Sequence, residues 1–351
     1  MGRNLVSAVA AAKPGFDQSS LDGVLAIARF RFLFESQAPL RLPRYLGSTW
    51  RGALASAFRQ LTCVARRKEC PGCAIRPCCP YAFLFAPSPD RPGSRFQELP
   101  RPFVIEPQAA SASSASYDLL LFGAAVRYFP YLVVANQEMA QRGLGAARQS
   151  VALDRMLALA FDDEPQELWS RATGMLKPCS LKAWRSDLAP PGVDEVTLDF
   201  LTPTRIKSDE SWSSRPNFRL LIATLVRRLT LLAESYGDRA LPDLRPLVAK
   251  AEAVILAQAE ARWVDWQRYS NRQEAKLTMG GFVGRLSYRG ELAPFWPLLR
   301  LGELLHVGRG CVFGMGQYRI VEAAGNDRRD AGPGEEVNLG QGTGSRTSRC
   351  P

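Results

Sequence analysis

Histidine is almost absent from this chain: a single imidazole, His306, serves 351 residues. Any imidazole chemistry therefore rests on that one side chain. Long apolar runs are missing as well. No stretch approaches the roughly 18 consecutive apolar residues of a membrane span. The apolar patch in MGRNLVSAVAAAKPG is too short and weak for an export signal. These absences lead to the expectation of a soluble, cytoplasmic protein with no membrane partner. The glycine-rich stretch HVGRGCVFGMGQYRI (306–320) has no Lys-Ser/Thr ending and precedes a strand-like run where a dinucleotide fingerprint would open a helix. It is neither a Walker loop nor a Rossmann turn.

What is present suits a globular protein with an anionic partner. With 46% hydrophobic residues the chain can bury a sizeable core, and its length divides naturally into two domains plus tails. The net charge of +11 favours a polyanion such as nucleic acid, or an anionic membrane face. Of eight cysteines, five (Cys63, Cys70, Cys73, Cys78, Cys79) crowd into CVARRKECPGCAIRPCCPY, with Cys179, Cys311 and Cys350 scattered. Clustering without an export signal points to metal more than to disulfides, and CPGC is a tight thiolate knuckle.

Periodicity predicts two successive α+β units. In the first, alternate Ala26, Ala28, Phe30, Phe32 and Phe34 mark one face of a strand. Leu46, Trp50, Ala53, Leu54, Ala57, Phe58 and Leu61 then mark one side of a helix, with Arg51 and Arg59 elsewhere on it. RPFVIEP (101–107) and YDLLLFG (117–123) read as strands, YLVVANQEMAQRG as a helix ended by Gly143, and the next part of the chain as a loop-rich passage. In the second unit VTLDFLTPTRIK reads as strand and NFRLLIATLVRRLTLLAESYG as amphipathic helix. A further helix runs to about Trp266, followed by strand GGFVGRLSYRG, helix APFWPLLRLGELLHV and strand GQYRIVE. The expected fold is α+β: two tandem ferredoxin-like (RRM-like) domains, 21–190 with a cysteine insertion at 63–79, and 191–322 with a glycine-rich loop at 308–316. Residues 1–20 and 323–351, rich in Gly, Ser, Arg and acids, are expected to be disordered.

Gly308, Gly310, Gly314 and Gly316 fall within nine residues. Bare backbone lets N–H groups approach phosphate oxygens closely, and it equally permits a tight connection. The spacing Gly308-x-Gly310-x3-Gly314-x-Gly316, between a helix and the last strand, resembles the glycine-rich loop of the RAMP superfamily. Together with LPRYLGSTWRGALASAFRQL and the cysteines behind it, FLTPTRIK, and WVDWQRYSNRQEAKLTMGGFVGRLSYRGELAPFWPLLRLGELLHVGRG, it resembles the CRISPR-associated protein 6 family, over about Gly23 to Val321.

That resemblance implies two ferredoxin-like domains and a metal-independent endoribonuclease acting on CRISPR repeat RNA. A ribose 2′-OH would attack the adjacent phosphate and leave a 2′,3′-cyclic phosphate and a 5′-hydroxyl. The subgroup that the cysteine segment resembles closes its motif with Cys-Pro-Tyr, so Cys63, Cys70, Cys73 and Cys79 are the implied ligands and Cys78 the spare. Structural zinc is the first expectation, with an iron–sulfur cluster as the other thiolate-held group. Arg66, Arg67, Lys68 and Arg76 on the knuckle are either RNA contacts or the solvated surface of a metal-stapled insertion.

Such cleavage needs a base, an acid and cations for the phosphorane. Many family members carry a histidine on or near the first helix, and this chain has none there. His306, at a helix end before the glycine loop, is then either a general acid or a buried, capping side chain. Arg268, Tyr269 and Lys276 are the catalytic candidates for a histidine-free route. Arg51, Arg205, Lys207, Arg272 and Arg309 join the glycines as RNA-binding candidates. The expected partners are CRISPR repeat RNA and subunits of a CRISPR effector complex. Two other readings compete: a RAMP subunit that holds guide RNA without cutting it, and a zinc-dependent DNA-binding regulator, which leaves the glycine loop unexplained.

Overall fold

Alternation along IARFRFLFE puts aromatic and charged side chains on opposite faces of one strand. In the computed structural model, strand β1 (Ile27–Glu35) buries Phe30, Phe32 and Phe34 completely, while Arg29 and Arg31 sit on the other face. The structure describes residues 21–325 apart from 44, 67–69, 89–98, 146, 162–163, 179–183, 186–188, 191, 209–210 and 271–274. The first expected tail and residues 326–351 of the second lie outside the described residues.

The first domain runs β1, α1 (Gly47–Thr62), α2 (Pro80–Phe85), β2 (Phe103–Pro107), β3 (Ser114–Phe122), α3 (Phe129–Arg142), β4 (Ala152–Ala158) and β5 (Gln166–Ser170). Its sheet has the order β2-β3-β1-β4-β5 with antiparallel neighbours, which is the ferredoxin-like arrangement plus one added edge strand. Trp50, Leu54, Ala57 and Phe58 of α1 and Leu132, Ala135 and Met139 of α3 pack on the phenylalanine face. Gly143 ends α3.

The second domain runs β6 (Val193–Thr204), the short hairpin β7 (Ile206–Ser208) and β8 (Ser211–Ser213), α4 (Phe218–Tyr236), α5 (Arg245–Lys250), β9 (Ile255–Ser270), β10 (Ala275–Arg289), α6 (Trp296–Leu305) and β11 (Tyr318–Gly325). Its main sheet, β11-β6-β10-β9, repeats the same order. The Asn217 side chain caps α4 by accepting from the Leu220 amide at 2.8 Å. Leu221, Leu225, Leu229 and Leu232 are the helix's buried stripe. No helix among the described residues is long and apolar enough to cross a membrane.

Two expected elements are corrected. The passage after Gly143 is not all loop, because β4 and β5 complete the first sheet. The helix expected up to Trp266 is a short α5 followed by β9, which pairs with β10 from Ile255 to Ser270. The last strand also runs on to Gly325, past the 322 boundary.

The domains meet along the β-sheet face opposite the phenylalanines. Ile27, Val104, Leu120 and Phe122 from the first domain join the core of the second. Beside them lies a chain of charge. Arg31 bonds Asp118 at 2.6 Å, Arg29 bonds both Asp118 (2.8 Å) and Glu106 (2.6 Å), and Glu106 Oε1 meets His306 Nε2 of the second domain at 2.9 Å. His306 Nδ1 donates to the Met315 carbonyl at 3.0 Å. The ring has no exposed surface. His306 occupies the position just after α6 with φ of +60° and ψ of 164°, backbone that favours glycine and costs about 1–3 kcal/mol for other residues. Its two ring bonds offset that strain.

Burial alone would raise the Glu106 carboxyl; the His306 bond and charge and the Arg29 charge outweigh it and hold the group below its ordinary range. A depressed carboxyl contributes stability above its unfolded value, and that stability is lost as pH falls through the folded value. Urea unfolding should therefore show parent stability falling on acidification below about pH 4.3, with a shallower fall in Glu106→Gln; parallel curves would remove Glu106 from the acid response. His306→Ala should lose about 2–4 kcal/mol, since it leaves a buried carboxylate short of a partner. An unchanged urea midpoint would show that the bridge does not hold the domains.

Candidate nucleic-acid interface

The glycine loop is built against protein on both sides. Gly308, Gly310, Gly314 and Gly316 all take left-handed backbone, with φ between +74° and +85°. A Cβ on Gly314 would stand 2.6 Å from the Ile105 carbonyl oxygen in the first domain, and one on Gly316 would clash with the Val307 carbonyl. Gly47, at the start of α1, is pressed just as closely against the Phe313 carbonyl, which also accepts the Tyr45 hydroxyl at 2.7 Å. Several loop amides are occupied within the protein: Val307 donates to Gly316, Phe313 to Gly310, Gly314 to Cys311 and Gly316 to Pro203. The bareness at Gly314 serves the domain junction and that at Gly316 lets the loop close on Val307, while the partly exposed tip at 308–310 faces outward.

That tip organises charge. Arg309 is exposed, and its amide donates to the Arg205 carbonyl at 3.0 Å, which places the two residues side by side. Arg205 lies at the break between β6 and β7, and Lys207 is exposed on β7. The Arg205 guanidinium rests over the Trp212 ring at 4.2 Å. Burial, then the charge of Arg309, lowers its pKa, partly opposed by Asp265. Trp212 is the residue that sequence reasoning missed. Its only signal is an aromatic ring between serines in a polar stretch just after TRIK.

The remaining candidates divide. His306 is brought to the loop but inward: with both nitrogens bonded and no exposure, it presents no atom to a phosphate, and the capping, buried alternative describes it. Arg51 is half-buried, its guanidinium 5.9 Å from the rings of both Phe85 and Phe313. Tyr269 and Lys276 are direct cross-strand partners near the end of the β9–β10 hairpin, with Arg268 opposite Leu277. Arg272 lies outside the described residues. Arg228 of α4 donates from Nε to the Leu305 carbonyl at 2.6 Å and caps α6.

The cysteine segment forms a knuckle between α1 and α2. Cys63, Cys70, Cys73 and Cys79 line one pocket with Arg59 and Arg76. Cys78 is exposed, and its thiol bonds the Ile75 carbonyl outside that pocket. Burial and the neighbouring Cys79 and Cys63 raise the Cys70 thiol, against the lowering pull of Arg59 and Arg76. Among the described residues no three His, Cys, Asp or Glu side chains stand close enough to hold an ion as they are placed. The four sulfurs share a pocket without forming a closed coordination sphere. Arg76 donates to the Ala86 carbonyl at 2.9 Å and Arg59 lies over Tyr81 at 5.3 Å, so both serve the knuckle itself. Arg67 and Lys68 lie outside the described residues.

Two family models match separate parts of the chain. A family model described only as an N-terminal domain matches residues 25–181, and the model of the CRISPR-associated endoribonuclease Cas6 matches residues 198–318. An uncharacterized protein of Archaeoglobus fulgidus is 26% identical over 297 residues, covering 80% of this chain and 92% of that one. Among solved structures, a Cas6 product complex superposes with a TM-score of 0.52 at 15% identity, covering 84% of this chain and 99% of the other. Thermus thermophilus Cas6 gives 0.51 at 14% identity, covering 85% and 99%. The Cas6 model thus falls on the second domain, and the fold across both domains is similar to that of the solved Cas6 structures.

Proposed function

We propose that this protein cuts the repeats of CRISPR precursor transcripts to release guide RNA. The observation that carries the reading is the exposed cationic edge, Arg205, Lys207 and Arg309, that the glycine tip assembles on a Cas6-type second domain. Cations in that position neutralise phosphates and give an affinity that falls with salt, while a repeat hairpin supplies shape to be read.

The proposed reaction is a transesterification: a ribose 2′-oxygen loses its proton, attacks the adjacent phosphorus, and the 5′-oxygen leaves with a proton. It yields a 2′,3′-cyclic phosphate and a 5′-hydroxyl and needs no metal at the reacting phosphate. With His306 buried, acid and charge stabilisation fall to Tyr269, Lys276 and Arg268 on the β9–β10 hairpin, and Arg272 joins the phosphate contacts. Each well-placed cation or proton donor of this kind contributes on the order of a hundredfold to rate. A second reading, a subunit that holds guide RNA in an effector complex without cutting, is favoured by the same buried histidine and by the histidine-free first helix.

For the cysteine knuckle we propose a structural zinc held by Cys63, Cys70, Cys73 and Cys79, supported by the four thiols sharing one pocket while Cys78 turns out of it. Bound there, the metal would staple the insertion between α1 and α2.

End-labelled repeat RNA incubated with excess EDTA should be cut once and leave a cyclic phosphate, and Lys276→Ala should slow that cut on the order of a hundredfold while still binding. Tight binding without any cut, with or without EDTA, would select the RNA-holding reading. Metal analysis of the purified protein should find one zinc per chain, lost in Cys79→Ser and kept in Cys78→Ser. Zinc retained in both variants would remove the assignment, and visible sulfur-to-iron absorption would replace zinc with a cluster.

A further inference from the structure

Arg205 and Arg309 stand together on the exposed edge of the second domain, and among the described residues neither has a salt-bridged carboxylate. Arg205 is held in an unusual setting for so strong a cation. Its Nε is buried without a hydrogen-bond partner, and Nη1 reaches only the Met279 sulfur at 3.4 Å. Buried polar groups are ordinarily satisfied, and paired like charges without an acid between them are unfavourable. Both features are compensated when an anion arrives.

Trp212 adds a second chemistry. It sits on β8 opposite Lys207 of β7, its ring 4.2 Å from the Arg205 guanidinium, and it remains 37% exposed. Trp263 of β9, equally exposed, donates from Nε1 to Asp265 at 2.9 Å, and Asp265 is the carboxylate whose charge Arg205 feels. A flat aromatic surface beside unneutralised guanidiniums combines the two elements with which proteins hold single strands, cations for the backbone and a ring face for the base. Duplex bases are stacked on one another and cannot use such a ring.

We propose that Arg205, Arg309 and Trp212 form a subsite for one unpaired nucleotide of a bound RNA strand, the guanidiniums taking its phosphate and the indole stacking its base. The assignment rests on the RNA-binding reading above and sharpens it by requiring a single-stranded segment beside the glycine tip.

The test measures binding of the full-length protein to a short labelled oligouridine and to a blunt RNA duplex. Trp212→Ala should weaken oligouridine binding about tenfold and Trp212→Phe should largely restore it, with duplex affinity changed less than about twofold. Arg205→Ala should lower the salt slope for oligouridine by about 0.7, the contribution of one single-strand phosphate, while Arg205→Lys keeps the slope. Arg245→Ala, an exposed arginine outside the cluster, should change neither. Unchanged oligouridine affinity in Trp212→Ala, or equal losses for oligouridine and duplex, would overturn the subsite. A parent that cuts repeat RNA while Trp212→Ala binds oligouridine as well as the parent sinks the subsite alone. A parent that binds oligouridine through Trp212 and never cuts a repeat sinks the processing function and leaves the subsite standing. A parent that binds no RNA sinks both.

Discussion

Glu106 is buried on the inner face of the first domain's sheet, and a buried carboxylate must be paired. Arg29 satisfies one oxygen from the same sheet, and the other is met from the second domain by His306. His306 sits just past the end of α6 in a backbone conformation suited to glycine, with its ring aimed at Glu106 and the Met315 carbonyl. The loop after it is thereby drawn into the junction. Gly314 fits there because no side chain can.

The outer edge inherits its geometry from this inner one. With residues 311–316 wedged between the domains, the tip at 308–310 is left at the surface, and the amide of Arg309 docks on the Arg205 carbonyl. Two arginines are thus brought together from segments about a hundred residues apart in sequence. Trp212 holds one of them flat. The nearby β9–β10 hairpin places Tyr269 and Lys276 opposite each other on neighbouring strands. Burying the histidine leaves no imidazole on this surface.

The strands and helices with strong periodicity were legible in the residues. Phe30, Phe32 and Phe34 spelled a strand, and the leucines of α4 spelled an amphipathic helix. The stretch from Ile255 to Trp266 was not legible, because its alanines, glutamate and glutamine favour helix locally. It becomes strand because pairing with β10 along its whole length outweighs that preference. Strands β4 and β5 are short, and their pattern lacks flanking signals strong enough to separate them from loop. Resemblance alone separates Cys79 from Cys78 in the sequence, and the knuckle sorts them physically by turning one thiol into the pocket and the other out.

By itself the sequence determined the α+β class, the two-domain order, the basic surplus and the clustering of cysteines, since composition and local period carry those directly. The tertiary structure decided the roles of the singular residues. Whether a lone histidine is an acid or a pin, whether glycines cradle phosphate or seat a domain junction, and which arginines stand free all depend on contacts between residues far apart in the chain. His306 and Glu106 are separated by 200 positions, and no local pattern records that they touch.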